Sequence, residues 1–304
     1  MNFLYIVILK KLGIDVYPLL TSRRSRGKIN PYRPTLSRFN YVMTLVRIGD
    51  RDILVDASDK FAPLGLLPDR AINSGGFLIN EDAGRWVHFE PAESNGRMNS
   101  CNLKIDASGD LQGNLNISYS DYGALSFRRN FDEYASTDAY LEAFEKENQG
   151  IFVEDYVNNI EEDPFGRVVE KMTVEIDGNG SSIGELITFN PVFIDRTEEN
   201  PFKLEKRMYP VDFTTRRSRM SIFNLIIPEG YTVEQLPESL SVVMQNKTAT
   251  YQYQAQQVGQ NIQVMIKFEI GKPVFIESEY EELKMFFNLM VQKEQEHIIL
   301  KKIS

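Results

Sequence analysis

The sequence predicts an α+β protein in two parts: a mixed region over residues 1–85, and a β-rich, sandwich-like region over residues 86–304 that closes with a helix. Three observations carry this reading. An apolar segment with helical spacing opens the chain and leads into a hairpin pattern. From Trp86 onward apolar and polar residues alternate with period two between regularly spaced turns, which favours a sandwich over a parallel sheet. Near the end, Ser278-Glu279-Tyr280-Glu281 has the form of a capping box ahead of helix-spaced apolar residues.

Taken in order, MNFLYIVILKKLG places Leu4, Ile8 and Leu12 on one helical face, with Gly13 as the stop. The segment lacks the basic start and small-residue cleavage site of a secretory signal, so it is read as a helix of the fold. IDVYPLLTS follows as a buried strand, and RRSRGKINPYRP as a loop. FNYVMTLVRI and RDILVDAS flank Gly49-Asp50, a hairpin signal. Residues 61–80, with Pro63, Pro68 and Gly75-Gly76, are expected to cross to another sheet. Beyond Trp86, NLKIDASGDLQGNLNISYS reads as two strands about Ser108-Gly109-Asp110. A helical insertion is spaced by Tyr140, Leu141, Phe144 and Lys146. Six further strands are expected, at VEKMTVEIDG, GELITFNPVF, MSIFNLIIPEG, SLSVVMQ, ATYQYQAQQ and NIQVMIKFEIG. Leu283, Phe286, Phe287 and Met290 of the final helix are expected to dock on this β region.

Charge and composition narrow the function classes. Of 304 residues 42% are hydrophobic and 25% charged, and the net charge of -9 argues against a general nucleic-acid binder. The clusters Arg23-Arg24-Arg26-Lys28 and Arg216-Arg217-Arg219 read as solvated loop or strand-end positions. No run approaches the ~20 apolar residues of a membrane-spanning helix. The single cysteine excludes an internal disulfide and a multi-thiolate metal centre.

Residues able to carry chemistry are few. Cys101 opens an alternating strand with nothing nearby to lower its pKa, so it reads as inert. His88 lies on a strand and His297 near the end of the terminal helix, each without a local partner. Asp56 and Asp59 in VDASDK stand at a strand end, where they either serve function or cap the turn through backbone N–H groups. Glu161-Glu162-Asp163 reads as a solvated loop. Asp50-Arg51-Asp52 and Asp177-Gly178-Asn179-Gly180 lack the further ligands of a calcium loop. No phosphate loop or dinucleotide fingerprint occurs, so no cofactor is expected. Trp86, Tyr119, Tyr122, Tyr251 and Tyr253 could offer stacking faces to a carbohydrate or peptide, although alternating strand aromatics are ordinarily cross-strand packing pairs.

Read as a series, KKLGIDVYPLLTSR, LSRFNYVMTLVRIGDRDILVDASD and FAPLGLLPDRAIN resemble the second half of a transglutaminase-like, papain-like core. The likeness is to envelope proteins of Bacteroidota and related bacteria, in which this core lies between two β domains of unknown function. It continues through LKIDASGDLQGNLNISYSDYGAL, ENPFKLEKRMYPVDF and IIPEGYTVEQLP. The resemblance implies a Cys-His-Asp triad, with Cys at a helix start, His on the next strand and Asp ending the strand after. Asp56 matches the Asp. The His position falls on Tyr41, or on Asn40 with one residue of slack, and neither is an imidazole base. The thiol segment would precede Met1, and Cys101 comes too late in chain order to replace it. With triad members lost, most of the rate enhancement goes.

The resemblance therefore implies a non-catalytic transglutaminase-like protein or fragment, binding or scaffolding a protein or peptide partner at the periplasm or cell envelope. An alternative is that a longer product supplies the thiol, making this part of a thiol-dependent acyl transferase or peptidase. The resemblance also implies that the first region exposes an apolar face where the thiol-bearing segment would pack.

Overall fold

In the computed structural model, which describes residues 1–80 and 83–303, helix α1 (Asn2–Lys11) turns Asn2 and Ile6 inward. Leu4, Ile8 and Leu12, the stripe expected to be core, are instead 62, 47 and 70% exposed. Positions 3 to 9 are all apolar or aromatic, so spacing alone cannot choose a face. The choice is made by Asn2, whose amide reaches buried partners at the helix start. The C terminus closes as expected: Gly13 takes φ +77°, its N–H donates to Lys10 O, and the Ile14 N–H donates to Leu9 O. With Phe3 and Val7 also exposed, the helix presents an apolar outer face.

The inner face packs Ile6 against Val16, Val46 and Val55, with Tyr5, Leu9, Val42 and Ile53 half-buried around them. Val16, Val42, Val46, Ile53 and Val55 stand on a five-stranded antiparallel sheet of order β3-β2-β1-β4-β5. Its strands are β1 (Asp15–Thr21), β2 (Tyr41–Ile48), β3 (Arg51–Val55), β4 (Gly75–Leu78) and β5 (Arg85–His88). The hairpin at Gly49-Asp50 forms as expected. Residues 61–80 do not cross to another sheet. They return β4 to the free edge of β1, pairing Leu19 with Leu78. Gly76 permits that approach, since a Cβ there would lie 2.7 Å from the Leu20 carbonyl oxygen. Phe77 then pairs with Trp86. The chain divides into two compact units, one of Met1–Ser94 with Pro164–Gly166, the other of Asn95–Asp163 with the residues from Arg167 onward. Period-two alternation identifies a strand but not the sheet it joins.

The described residues of the second unit form two larger sheets, a separate two-stranded sheet and three α-helices. Its strands are β6 (Ser94–Ile105), β7 (Leu111–Asp121), β8 (Ile151–Asn158), β9 (Val168–Ile176), β10 (Gly180–Ile183), β11 (Leu186–Phe189), β12 (Val211–Asp212) and β13 (Arg216–Ile226). They continue with β14 (Tyr231–Gln235), β15 (Leu240–Val243), β16 (Ala249–Val258), β17 (Asn261–Ile270), β18 (Val274–Phe275) and β19 (Ile298–Lys302). The helices are α2 (Tyr122–Phe131), α3 (Thr137–Glu147) and α4 (Tyr280–Glu294). An eight-stranded sheet runs β15-β16-β17-β13-β6-β7-β9-β8, and a four-stranded antiparallel sheet runs β10-β11-β19-β14.

One core draws on both sheets and on α4, including Leu103, Phe223 and Val264, Phe189 and Leu300, and the expected Leu283, Phe286 and Met290. The alternation predicts such a strand-rich fold of several sheets. Three details differ. The chain does not end on α4 but returns as β19 between β11 and β14. At the start of α4 the reciprocal contact is made by Glu279, whose Oε2 accepts the Ile276 N–H at 2.9 Å. On α3 only Tyr140 and Phe144 are buried, while Lys146 is solvated.

The orientation of α1 makes a direct prediction. Ile6→Ala, at 6% exposure, should lower the stability of the first unit by about 2–4 kcal/mol. Leu4→Ala should change it by less than ~0.5 kcal/mol. Denaturant unfolding of the two variants separates this orientation from the one spacing alone would give.

Candidate functional site

Strand register brings Tyr41 and Asp56 together. Tyr41 is the first residue of β2, and Thr44 of β2 pairs with Val55, the last of β3, so Asp56 leaves the sheet beside the start of β2. The Tyr41 hydroxyl donates to Asp56 Oδ2. Asp56 is 5% exposed, and its Oδ1 accepts from Asn2 Nδ2 at 2.9 Å, Ser58 N at 2.9 Å and Ser58 Oγ at 2.6 Å. Asn2 also donates to Val42 O at 2.7 Å and accepts the Ala57 N–H at 2.8 Å, tying the start of α1 to the ends of two strands. From the short turn Asp69–Ala71, Arg70 donates Nε to the Tyr41 hydroxyl at 3.0 Å and an Nη to Ser58 Oγ at 2.7 Å. The Arg23 guanidinium lies 5.4 Å from the centre of the Tyr41 ring. In front of these groups is an open depression of about 600 Å³, bordered also by Met1, Phe3 and Asn40.

The electrostatics fix the charge state of the cluster. Burial alone would raise the Asp56 carboxyl, but hydrogen bonds from Ser58, Tyr41 and Asn2 outweigh it and hold the pKa below the ordinary aspartate value. Burial, and the bond given to Asp56, raise the Tyr41 phenol above its usual value of 10.0. The cluster is thus a carboxylate, a protonated phenol and an arginine. It can donate and accept hydrogen bonds but takes up no proton near neutral pH. Between the two residues at the expected imidazole position, Tyr41 faces Asp56, whereas Asn40 Oδ1 accepts the Arg23 N–H at 2.8 Å. Asn2, Ser58 and Arg70 were not singled out from sequence. The first is an amide in an otherwise apolar helix start, which is a legible signal.

The remaining candidates are dispersed. Cys101 is 1% exposed in β6 of the second unit, and burial pushes its thiol up to about 12. His88 is exposed on β5 beside Trp86, and His297 is exposed between α4 and β19 rather than on the helix. Asp59 accepts the Phe61 N–H at 3.1 Å, a turn-capping role. Asp52 pairs with Arg47 at 2.9 Å and Arg85 at 3.0 Å. Glu161-Glu162-Asp163 is an exposed loop. Among the described residues no group of three or more His, Cys, Asp or Glu could hold a metal ion, and no helix is long and apolar enough to cross a membrane. The suggested stacking aromatics are not a surface set: Tyr251 and Tyr253 are 0% exposed, Tyr122 3% and Tyr119 9%. Tyr251 and Tyr253 follow the cross-strand packing alternative, opposite Phe268 and Ile266, whereas Tyr122 is the first residue of α2.

The second unit also buries charge that the sequence reading left out. Glu170 on β9 is 0% exposed and accepts from the hydroxyls of Tyr140, Tyr119 and Tyr156 at 2.7, 2.8 and 2.9 Å. Nearby, Arg97 pairs with Asp195 at 2.6 Å, and Asn99 donates to the same carboxylate at 2.8 Å. Arg219, expected to be solvated, pairs with buried Glu294 at 2.5 Å and donates to the Asp195 carbonyl. Arg217 lies against the Phe213 ring.

Residues 185–300 match the profile of DUF3858, a domain of unknown function for which solved structures exist. No curated protein matches the chain. The fold is similar to a crystal structure from Parabacteroides distasonis ATCC 8503 described as a putative protease, with a TM-score of 0.52 and 12% identity over 99% of this chain. The chain spans only 43% of that longer chain. The similarity at this identity is one of fold.

Loss of the phenol should register as stability. Tyr41→Phe removes a bond to a carboxylate and should cost about 1–3 kcal/mol in denaturant unfolding of the first unit. The folded pKa of Asp56 lies below its unfolded value, so the unfolded state binds more protons in that window. The contribution is complete above about pH 4 and is lost as pH falls through the folded pKa. Asp56→Asn should abolish that part of the acid-side decline.

Proposed function

We propose that the first unit is a segment of a transglutaminase-like core whose triad geometry persists without its chemistry, and that the chain acts by binding rather than by acyl transfer. The carrying observation is the Tyr41–Asp56 contact. Tyr41 stands where the resemblance places an imidazole, and Asp56 meets it as an orienting carboxylate would. A phenol with a raised pKa is a poor base near neutral pH. Cys101, with its thiol buried and pushed up to about 12, offers no nucleophile. The ordered sequence resemblance, the fold similarity to a longer chain and the domain matched at residues 185–300 support the reading. A protein or peptide partner at the cell envelope is the role it implies.

A second reading follows from the depression lined by Met1, Asn2 and Phe3 in front of Tyr41. A thiol from a longer polypeptide would act there, in a thiol-dependent acyl transferase or peptidase. The two readings separate in assays of amide hydrolysis and amine transfer. The purified chain should show no turnover above background. Turnover that Asp56→Ala abolishes would overturn the binding reading. In a longer natural product containing an upstream cysteine, Tyr41→His should raise activity by at least a hundredfold if position 41 is the base position. No gain would discredit that assignment.

A further inference from the structure

The second unit holds a cavity of about 380 Å³ between strands β6 and β7 and helices α2 and α3, within the usual range for small-molecule sites. Its floor is aromatic and immobilised. Tyr119 and Tyr140 line it, and both spend their hydroxyls on buried Glu170. Phe127 packs between them, 4.7 Å from Tyr119 and 5.8 Å from Tyr140, centre to centre. At Tyr119, Phe127 and Tyr140 a ligand entering here meets ring carbon, since both of those phenol oxygens are bonded to Glu170, while Tyr134 adds a further ring to the lining. The floor needs no reordering on binding, which removes a cost that flexible sites bear.

The rim has the opposite character. Asn95, Ser126 and Asn130 border the cavity, and among the described residues their side chains have no hydrogen-bond partner. Asn148 donates Nδ2 to Phe144 O at 2.8 Å, which leaves its carbonyl oxygen. Asp195 receives Arg97 and Asn99 at Oδ2, which leaves Oδ1. The rim therefore offers neutral groups that both donate and accept, with a carboxylate oxygen of Asp195 fixed in place and the exposed Glu147 carboxylate at the edge. Arg97 is already paired with Asp195, and the lining also carries Glu147, so among the described residues an anionic ligand would find no unpaired cation there. A peptide bound by strand addition needs an open strand edge, and β6 and β7 are interior strands of their sheet.

We propose that this cavity binds a neutral sugar ring: an apolar C–H face on the aromatic floor, and hydroxyls, each able to donate and accept, among the rim amides, the Ser126 hydroxyl and Asp195. The proposal is independent of the reading of the first unit and requires no activity there.

The test uses the intact chain and a panel of neutral mono- to tetrasaccharides of glucose, galactose, mannose and N-acetylglucosamine, read by saturation-transfer NMR and calorimetry. A random peptide library is screened in parallel. At least one saccharide should bind with Kd on the order of a millimolar or tighter. Asn130→Ala and Ser126→Trp, both at solvated helix positions, should each weaken it at least tenfold with the melting temperature unchanged. Asn224→Ala, on the amide row linking Asn102, Asn224 and Gln263, should leave it unaltered. Should Ser126→Trp fail to fold, Asn95→Ala takes its place. Absence of saccharide binding, binding indifferent to the rim variants, or a peptide as the ligand that those variants weaken would each overturn the proposal.

Discussion

A carboxylate removed from water must recover its hydrogen bonds from the protein or give up its charge, and each unit contains one around which its neighbours are arranged. At Asp56 the bonds come from a helix start, a strand start and the turn that follows, so three segments distant in sequence are held by one side chain. At Glu170 they come from a phenol on β7, one on α3 and one on β8. The two solutions differ in outcome. Hydrogen bonding prevails at Asp56, whose pKa falls. At Glu170 burial prevails over the three tyrosines and Arg97, and the pKa rises.

Around Glu170 the polar interior extends through linked pairs. Asp195 adopts φ +58°, a conformation uncommon for a residue with a side chain, while its carboxylate holds Arg97 and Asn99 and its carbonyl accepts from Arg219. Glu294, at the end of α4, receives both Arg219 and the Thr197 N–H. Such pairs are weak sources of net stability, but breaking one leaves a buried charge uncompensated. Their effect here is positional: they hold the loop carrying Asp195 and the end of α4 to β6 and β13.

Much of this was legible in the sequence. Period-two alternation located β6, β7, β9, β13, β16 and β17, and a glycine-containing dipeptide located the first hairpin. Chain order also brought Asp56 to a strand end opposite Tyr41. What was missed has physical reasons. The face of α1 was misjudged because an almost wholly apolar segment has no moment to read. β8 and β19 escaped because Glu154 and Asp155 interrupt the first and lysines end the second. The phase of alternation did contain the buried charges. Glu170 lies between Val168 and Met172 on the inward phase of β9, and Arg219 precedes Ser221 and Phe223 on that of β13. A charged residue on an inward phase marks a buried pair, and treating the arginine run as solvated overlooked that phase.

Asn2 has a consequence for how the first unit responds to load. Its amide is a mechanical link between the start of α1 and the carboxylate at the end of β3, and the same helix carries an uncovered apolar side. Whatever settles on that side and draws the helix from the sheet must also lengthen the bond from Asn2 to Asp56, weakening the hold on the ionised form. By reciprocity, protonating Asp56 loosens the helix by the same free energy. The helix and the carboxylate thus form a single lever, with hydrophobic contact acting on one arm and proton concentration on the other.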